Sequence, residues 1–95
     1  MKITVVCGNG LGTSLMMEMS IKKIVKELGV VADVDHVDLG SAKGTDSDIF
    51  VGTKDIADQL IAQAVVGKIV SLNNMIDKVA MKERLSVALT ELGAL

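Results

Sequence analysis

The chain has no tryptophan, no tyrosine and a single phenylalanine, Phe50. It therefore offers no row of aromatic faces on which single-stranded nucleic acid could stack. Arginine is as scarce: Arg84 stands alone, and ten basic side chains face twelve acidic ones for a formal charge of −2. Binding that works by neutralising phosphates needs a dominant basic face, and this balance argues against one. Cys7 is the sole cysteine and can make no internal disulfide, so nothing calls for an oxidising compartment. The longest apolar run is far short of a membrane span, and Gly8-Asn9-Gly10 interrupts the apolar opening too early for a signal peptide. These absences predict a soluble, cytoplasmic protein that binds no nucleic acid and inserts into no membrane.

What is present is an apolar and ordered pattern. Hydrophobic residues make up 49% of the 95 positions and mean hydropathy is +0.48, which excludes intrinsic disorder. A chain of this length buries roughly 60–65% of its unfolded surface, enough for one core, so residues 1–95 are expected to form a single domain. Lys2 to Cys7 is short, β-branched and apolar, as a buried strand should be. Glycines at 8, 10 and 12 follow, with Thr13 or Ser14 placed to cap a helix. Met17, Ile21, Ile24, Val25 and Leu28 fall at helical spacing, and Gly29 stands where a helix ends.

The next segment, Val31 to Leu39, alternates imperfectly and reads as an edge strand, with Asp33, Asp35 and Asp38 keeping that edge soluble. Gly40 to Ser47 reads as a polar loop. Asp48 to Gly52 is a third strand, followed by a helix whose Ile56, Leu60, Ile61 and Ala64 share a face and which Gly67 closes. Lys68 to Leu72 is a fourth strand, and Met81, Leu85, Ala88, Leu89 and Leu92 define a last helix ended by Gly93. Strands alternating with helices predict an α/β fold of three layers, a four-stranded parallel sheet covered on both faces. With right-handed crossovers the expected order is 2-1-3-4, a Rossmann-like or flavodoxin-like arrangement. The winding direction then reverses between strands 1 and 3, and a ligand belongs in the crevice at their C-terminal ends. Cys7 to Ser14 lies there, with Gly52-Thr53 and residues 71–74 on the same rim.

The residues Cys7-Gly8-Asn9-Gly10-Leu11-Gly12-Thr13-Ser14 carry the chemistry. Amides of a glycine-rich loop, added to the positive end of a helix, make an anion site suited to a phosphoryl group. The same field favours thiolate over thiol, so Cys7 is the candidate nucleophile. Asn9, Thr13 and Ser14 supply side-chain hydrogen bonds for phosphate oxygens. A nucleophile at the floor of a phosphate cradle suggests a covalent phosphocysteine. The duller reading, a buried cysteine acting as a small hydrophobe, leaves the glycines and hydroxyls unexplained.

With Val6 ahead of it, this loop resembles that of the IIB components of the sugar phosphotransferase system (PTS), within the lactose, ascorbate and galactitol-like group. It is most similar to the ascorbate-type proteins, which carry Cys-Gly-Asn-Gly-x-Gly-[Ser/Thr]-Ser. Asn73-Asn74-Met75 after the fourth strand is a second point of similarity. The resemblance implies a phosphocarrier: Cys7 takes a phosphoryl group from phosphohistidine on a IIA protein and passes it to a substrate, ascorbate or a polyol such as galactitol, held by membrane-embedded IIC. It implies no cofactor and no metal, a monomer, and a cytoplasmic protein that visits the inner face of the membrane. Met16, Met17 and Met19 in the first helix are either core and boundary residues, or Leu11 and Met16, beside the loop, form an adaptable docking patch for the two partners.

Other readings fit less well. A dinucleotide fingerprint wants glycine where Thr13 stands. A small tyrosine phosphatase, which also sets a cysteine on a phosphate loop, needs an arginine at position 13 and an Asp-Pro acid, and the chain has no proline. One cysteine and one histidine, on separate strands, make no metal-ligand set. His36, between Asp35 and Val37 on an edge strand, reads as a solvated surface residue. A regulatory module that senses PTS phosphorylation without delivering sugar is the alternative of a different class.

Overall fold

The β-branched run Ile3, Thr4, Val5, Val6 favours extended backbone, and all four side chains are buried because the strand they form is covered on both faces. In a computed structural model of the chain, residues 1–7, 11–65, 67–72 and 78–93 are described, Cys7 and residues 11–14 by their backbone. The elements run β1 (Lys2–Cys7), α1 (Leu11–Glu27), β2 (Asp33–Asp38), α2 (Leu39–Ala42), β3 (Ile49–Thr53), α3 (Lys54–Ala62), β4 (Lys68–Leu72) and α4 (Lys78–Glu91). The four strands form one parallel sheet in the order β2-β1-β3-β4, the flavodoxin-like arrangement that the alternation of elements predicts.

Alternate residues of each strand feed two cores. Ile3, Val5, Val34, Ile49, Val51, Val70 and Leu72 pack with Met17, Ile21 and Ile24 of α1 and Met81, Leu85 and Leu89 of α4. On the other face Val6 and Phe50 pack with Ala42 of α2 and Leu60 of α3. α1 ends as its glycine predicts. Gly29 at φ +73° lets its own amide reach the Lys26 carbonyl (3.2 Å) and the Val30 amide reach that of Val25 (2.9 Å), the paired closure of a Schellman motif.

Several boundaries differ from the sequence reading. The second strand is shorter than Val31 to Leu39, because Val31 is spent on leaving α1 and is 93% exposed. The segment read as a polar loop after it opens with a short helix, α2, since Asp38 Oδ1 accepts from the Ser41 amide at 2.7 Å and turns the chain so that Ala42 is buried. On α3 the buried pair is Ala57 and Leu60, whereas Ile61 is 64% exposed and Ala64 lies beyond the helix at φ +55°. Gly67 does not close α3, which stops at Ala62; it leads into β4 at φ +135°. Leu92 likewise follows α4 and is exposed. β2 is the edge strand predicted, with Asp33, Asp35 and Asp38 exposed, but His36 is not a solvated surface residue: its ring lies against Glu18 of α1 and is 28% exposed.

Candidate functional site

All four strands are parallel, so their C-terminal ends share one edge of the sheet. Cys7 is the last residue of β1, the strand flanked by both β2 and β3, and it is in register with Asp38 at the end of β2. Thr53 and Leu72 end β3 and β4 in register with each other. The reversal of winding between β1 and β3 therefore falls at Cys7, where a crevice opens in sheets of this kind.

Only residues 8–10 separate the end of β1 from the start of α1. Gly8, Asn9 and Gly10 lie outside the described residues, as do Asn73, Asn74 and Met75 after β4. α1 begins at Leu11, earlier than a cap at Thr13 or Ser14 would set it, so Leu11, Gly12, Thr13 and Ser14 form its first turn. The leading amides of a helix have no intrahelical carbonyl to bond, and their partial positive charge is directed back along the axis. α1 is 17 residues long and carries no acidic residue in its first turn, so nothing on the helix itself neutralises that end. Its other end carries Lys26, which complements the opposite pole.

The carboxylate on the residue paired with Cys7 across the sheet is engaged in a helix cap. Asp38, its register partner, is engaged by the Ser41 amide at the start of α2. On the other side, Gly52 lets α3 come close: a Cβ there would stand 2.8 Å from Ile56 Cγ2 and 3.4 Å from the Val6 carbonyl oxygen. Thr53 occupies the cap position of α3 without using its hydroxyl as a cap.

A profile described as "PTS system, Lactose/Cellobiose specific IIB subunit" matches residues 2–87. The chain belongs to that PTS IIB family. It is also similar to the "Ascorbate-specific PTS system EIIB component" of Mycoplasma pneumoniae, with 35% identity over 89 residues, 92% of this chain and 93% of the relative. PTS IIB components are phosphotransferases that work with IIA and IIC partners. Among the described residues no helix is long and apolar enough to cross a membrane.

The methionines near the start of α1 divide between the two readings open to them. Met17 is core at 1% exposure, while Leu15, Met16 and Met19 are exposed. Met16 and Met19 face a groove between α1 and α4 that Val79 and Val87 complete, rimmed by Lys23, Lys82 and Glu83.

Proposed function

We propose that this PTS IIB chain is a phosphocarrier with Cys7 as its phosphoryl acceptor. The observation that carries the reading is the placement of Cys7 at the C-terminal end of a central strand, with only three residues between it and an un-neutralised helix N-terminus. That position favours the thiolate and, after transfer, the dianionic phosphoryl group on it.

In the first step Cys7 Sγ attacks the phosphorus of a phosphohistidine on IIA; the P–S bond forms, the P–N bond breaks, and the imidazole leaves with a proton. In the second, a hydroxyl oxygen of a substrate held by IIC attacks the same phosphorus, the P–S bond breaks, and the thiolate returns. Gly8, Asn9 and Gly10, with the amides of Leu11, Gly12 and Thr13, hold the phosphoryl oxygens, and the hydroxyls of Thr13 and Ser14 add donors. Such transfer depends on alignment and charge stabilisation, so a cradle of amides suffices, and the base that takes the acceptor's proton sits on the partner. The substrate we assign is ascorbate, on the specificity named for the Mycoplasma pneumoniae relative and on the loop. Leu15 and Met16, exposed at the start of α1, belong to the surface that partners cover. The protein works at the cytoplasmic face of the membrane as a single domain.

The test is intact-protein mass spectrometry after incubation with phosphoenolpyruvate, the general phosphotransferase proteins and a charged IIA. One phosphoryl increment is expected, absent in Cys7→Ser. An increment retained by the variant moves the acceptor elsewhere, and failure with a whole panel of charged IIA proteins supports the sensing module instead.

A further inference from the structure

Away from the loop, three metal-ligating side chains from two elements meet at the edge of the sheet. One carboxylate oxygen each of Glu18 on α1 and Asp35 on β2, and a ring nitrogen of His36 on β2, lie within 4.8 Å of one another. His36 Nδ1 is 3.4 Å from Glu18 Oε1 and 3.8 Å from Asp35 Oδ1. Asp35 is held beside the ring because its Oδ1 accepts from the His36 amide at 2.8 Å.

Two features of this cluster ask for a cation. Glu18 is 8% exposed, and a charged side chain is rarely buried to that degree without a partner. Among the described residues its ammonium neighbour is Lys22 at 3.9 Å, which is more than half exposed and sits on the next turn of the same helix, a loose pairing. His36 Nδ1 is itself buried and makes no hydrogen bond. No hydrogen bond joins the ring nitrogen to either carboxylate oxygen, and wherever that nitrogen carries no proton its lone pair and theirs repel unless a positive centre lies among them.

A proton on Nδ1 would need a well-aligned acceptor at about 2.7–3.2 Å, closer than either carboxylate oxygen. A metal ion sits between its ligands instead. Bonds of about 2.0–2.1 Å in tetrahedral arrangement set neighbouring donor atoms about 3.4 Å apart. The Nδ1 separations of 3.4 and 3.8 Å are near that spacing, and the two carboxylate oxygens lie within 4.8 Å of each other. We infer that Glu18, Asp35 and His36 bind a divalent transition-metal ion of the zinc class through two carboxylate oxygens and His36 Nδ1. The mixed nitrogen and oxygen donors suit zinc better than magnesium or calcium. Three protein ligands leave a fourth position to water, and the ion fastens α1 to the edge strand β2. Spacing along the chain hides this set because Glu18 reaches it only through the packing of α1 on the sheet. The inference is independent of the phosphocarrier reading.

His36 is the only histidine, so its ring nitrogens give an unobstructed signal. The experiment uses tag-free Cys7→Ser protein, which removes the competing thiolate, labelled with 15N and titrated with Zn2+ while long-range 1H–15N spectra are recorded. The expected result is saturation at one equivalent with a shift of the Nδ1 resonance, the proton remaining on Nε2. By calorimetry His36→Gln and Glu18→Gln should each weaken Zn2+ binding by about tenfold or more. An Nδ1 resonance unmoved by equimolar Zn2+ overturns the proposal, as does a ring that stays protonated on both nitrogens, the mark of a proton as occupant. Binding unchanged in folded Glu18→Gln also overturns it. The titration of the unsubstituted site decides the matter even where a variant fails to fold.

Discussion

Gly52 tests how tightly the sheet edge near Cys7 is built. In β3 the residue is buried and in register with Ser71, and a Cβ added there would lie 2.8 Å from Ile56 Cγ2 and 3.1 Å from Ile56 Cβ. Rotating χ1 of Ile56 can move Cγ2, but Cβ is tied to the backbone of α3, so the start of the helix must shift by a few tenths of an ångström. Overpacking of this kind costs about 1–3 kcal/mol. The strand backbone gains about 0.5–1 kcal/mol from losing a glycine, so Gly52→Ala is expected to destabilise by about 1–2 kcal/mol net, a fall of very roughly 4–16 °C in Tm. Ile56→Gly removes both contacts, so in that background the same substitution should cost under about 1 kcal/mol. With no tryptophan or tyrosine to report by fluorescence, the assay is urea unfolding followed by far-UV circular dichroism on all four proteins. A Gly52→Ala protein as stable as the parent, or additive costs in the double variant, would refute the close packing of α3 on β1 and β3.

Two further perturbations probe the opposite end of the sheet. Thr4 is fully buried and its hydroxyl donates to Ser47 Oγ at 2.9 Å, which in turn donates toward the carbonyls of Lys2 and Ile49. Ser47→Ala strands the Thr4 hydroxyl and should cost about 1–3 kcal/mol, while Thr4→Val with Ser47→Ala should recover part of that loss; a double variant less stable than Ser47→Ala alone, by thermal unfolding, contradicts the pairing. Gly67→Ala should cost about 2–4 kcal/mol, because φ is +135° and the new Cβ would stand 2.5 Å from the Ser47 carbonyl oxygen. Gly29→Ala, with φ +73° and nothing within 4 Å, is the control at about 1–2 kcal/mol, and equal losses for the two would show that contact with Ser47 contributes nothing.

How far the chain discloses its own structure depends on the range of the interaction that decides each element. β1 and β3 are visible because they are buried on both faces, and an apolar β-branched run such as Ile3 to Val6 has few other uses. Gly29 signals the end of α1 because an αL closure is a local event among residues 25–30. The failures are where a distant contact decides. Ile61 fits the periodicity of α3 as well as Leu60 does, yet Phe50 and Val6 on the sheet select Leu60 and leave Ile61 exposed. Gly67 looks like a helix stop by spacing; what requires a glycine there is the Ser47 carbonyl, twenty residues away in sequence but touching in space.

The two candidate sites differ in the same way. The proposed phosphate site is contiguous in sequence, from Cys7 at the end of β1 to Ser14 in the first turn of α1, so the order of residues is itself the order of the site, and only the start of α1 at Leu11 shifts which of them act through the helix end. The His36 cluster joins residues 18 and 35–36, which share no motif and meet because Met17, Ile21 and Ile24 seat α1 on the sheet with its Glu18 side over the edge strand. Read alone, His36 beside Asp35 on an edge strand belongs to solvent. Read with α1 in place, its buried nitrogen faces a buried carboxylate, and the proposed cation lies between them, about two turns along the helix from its start at Leu11.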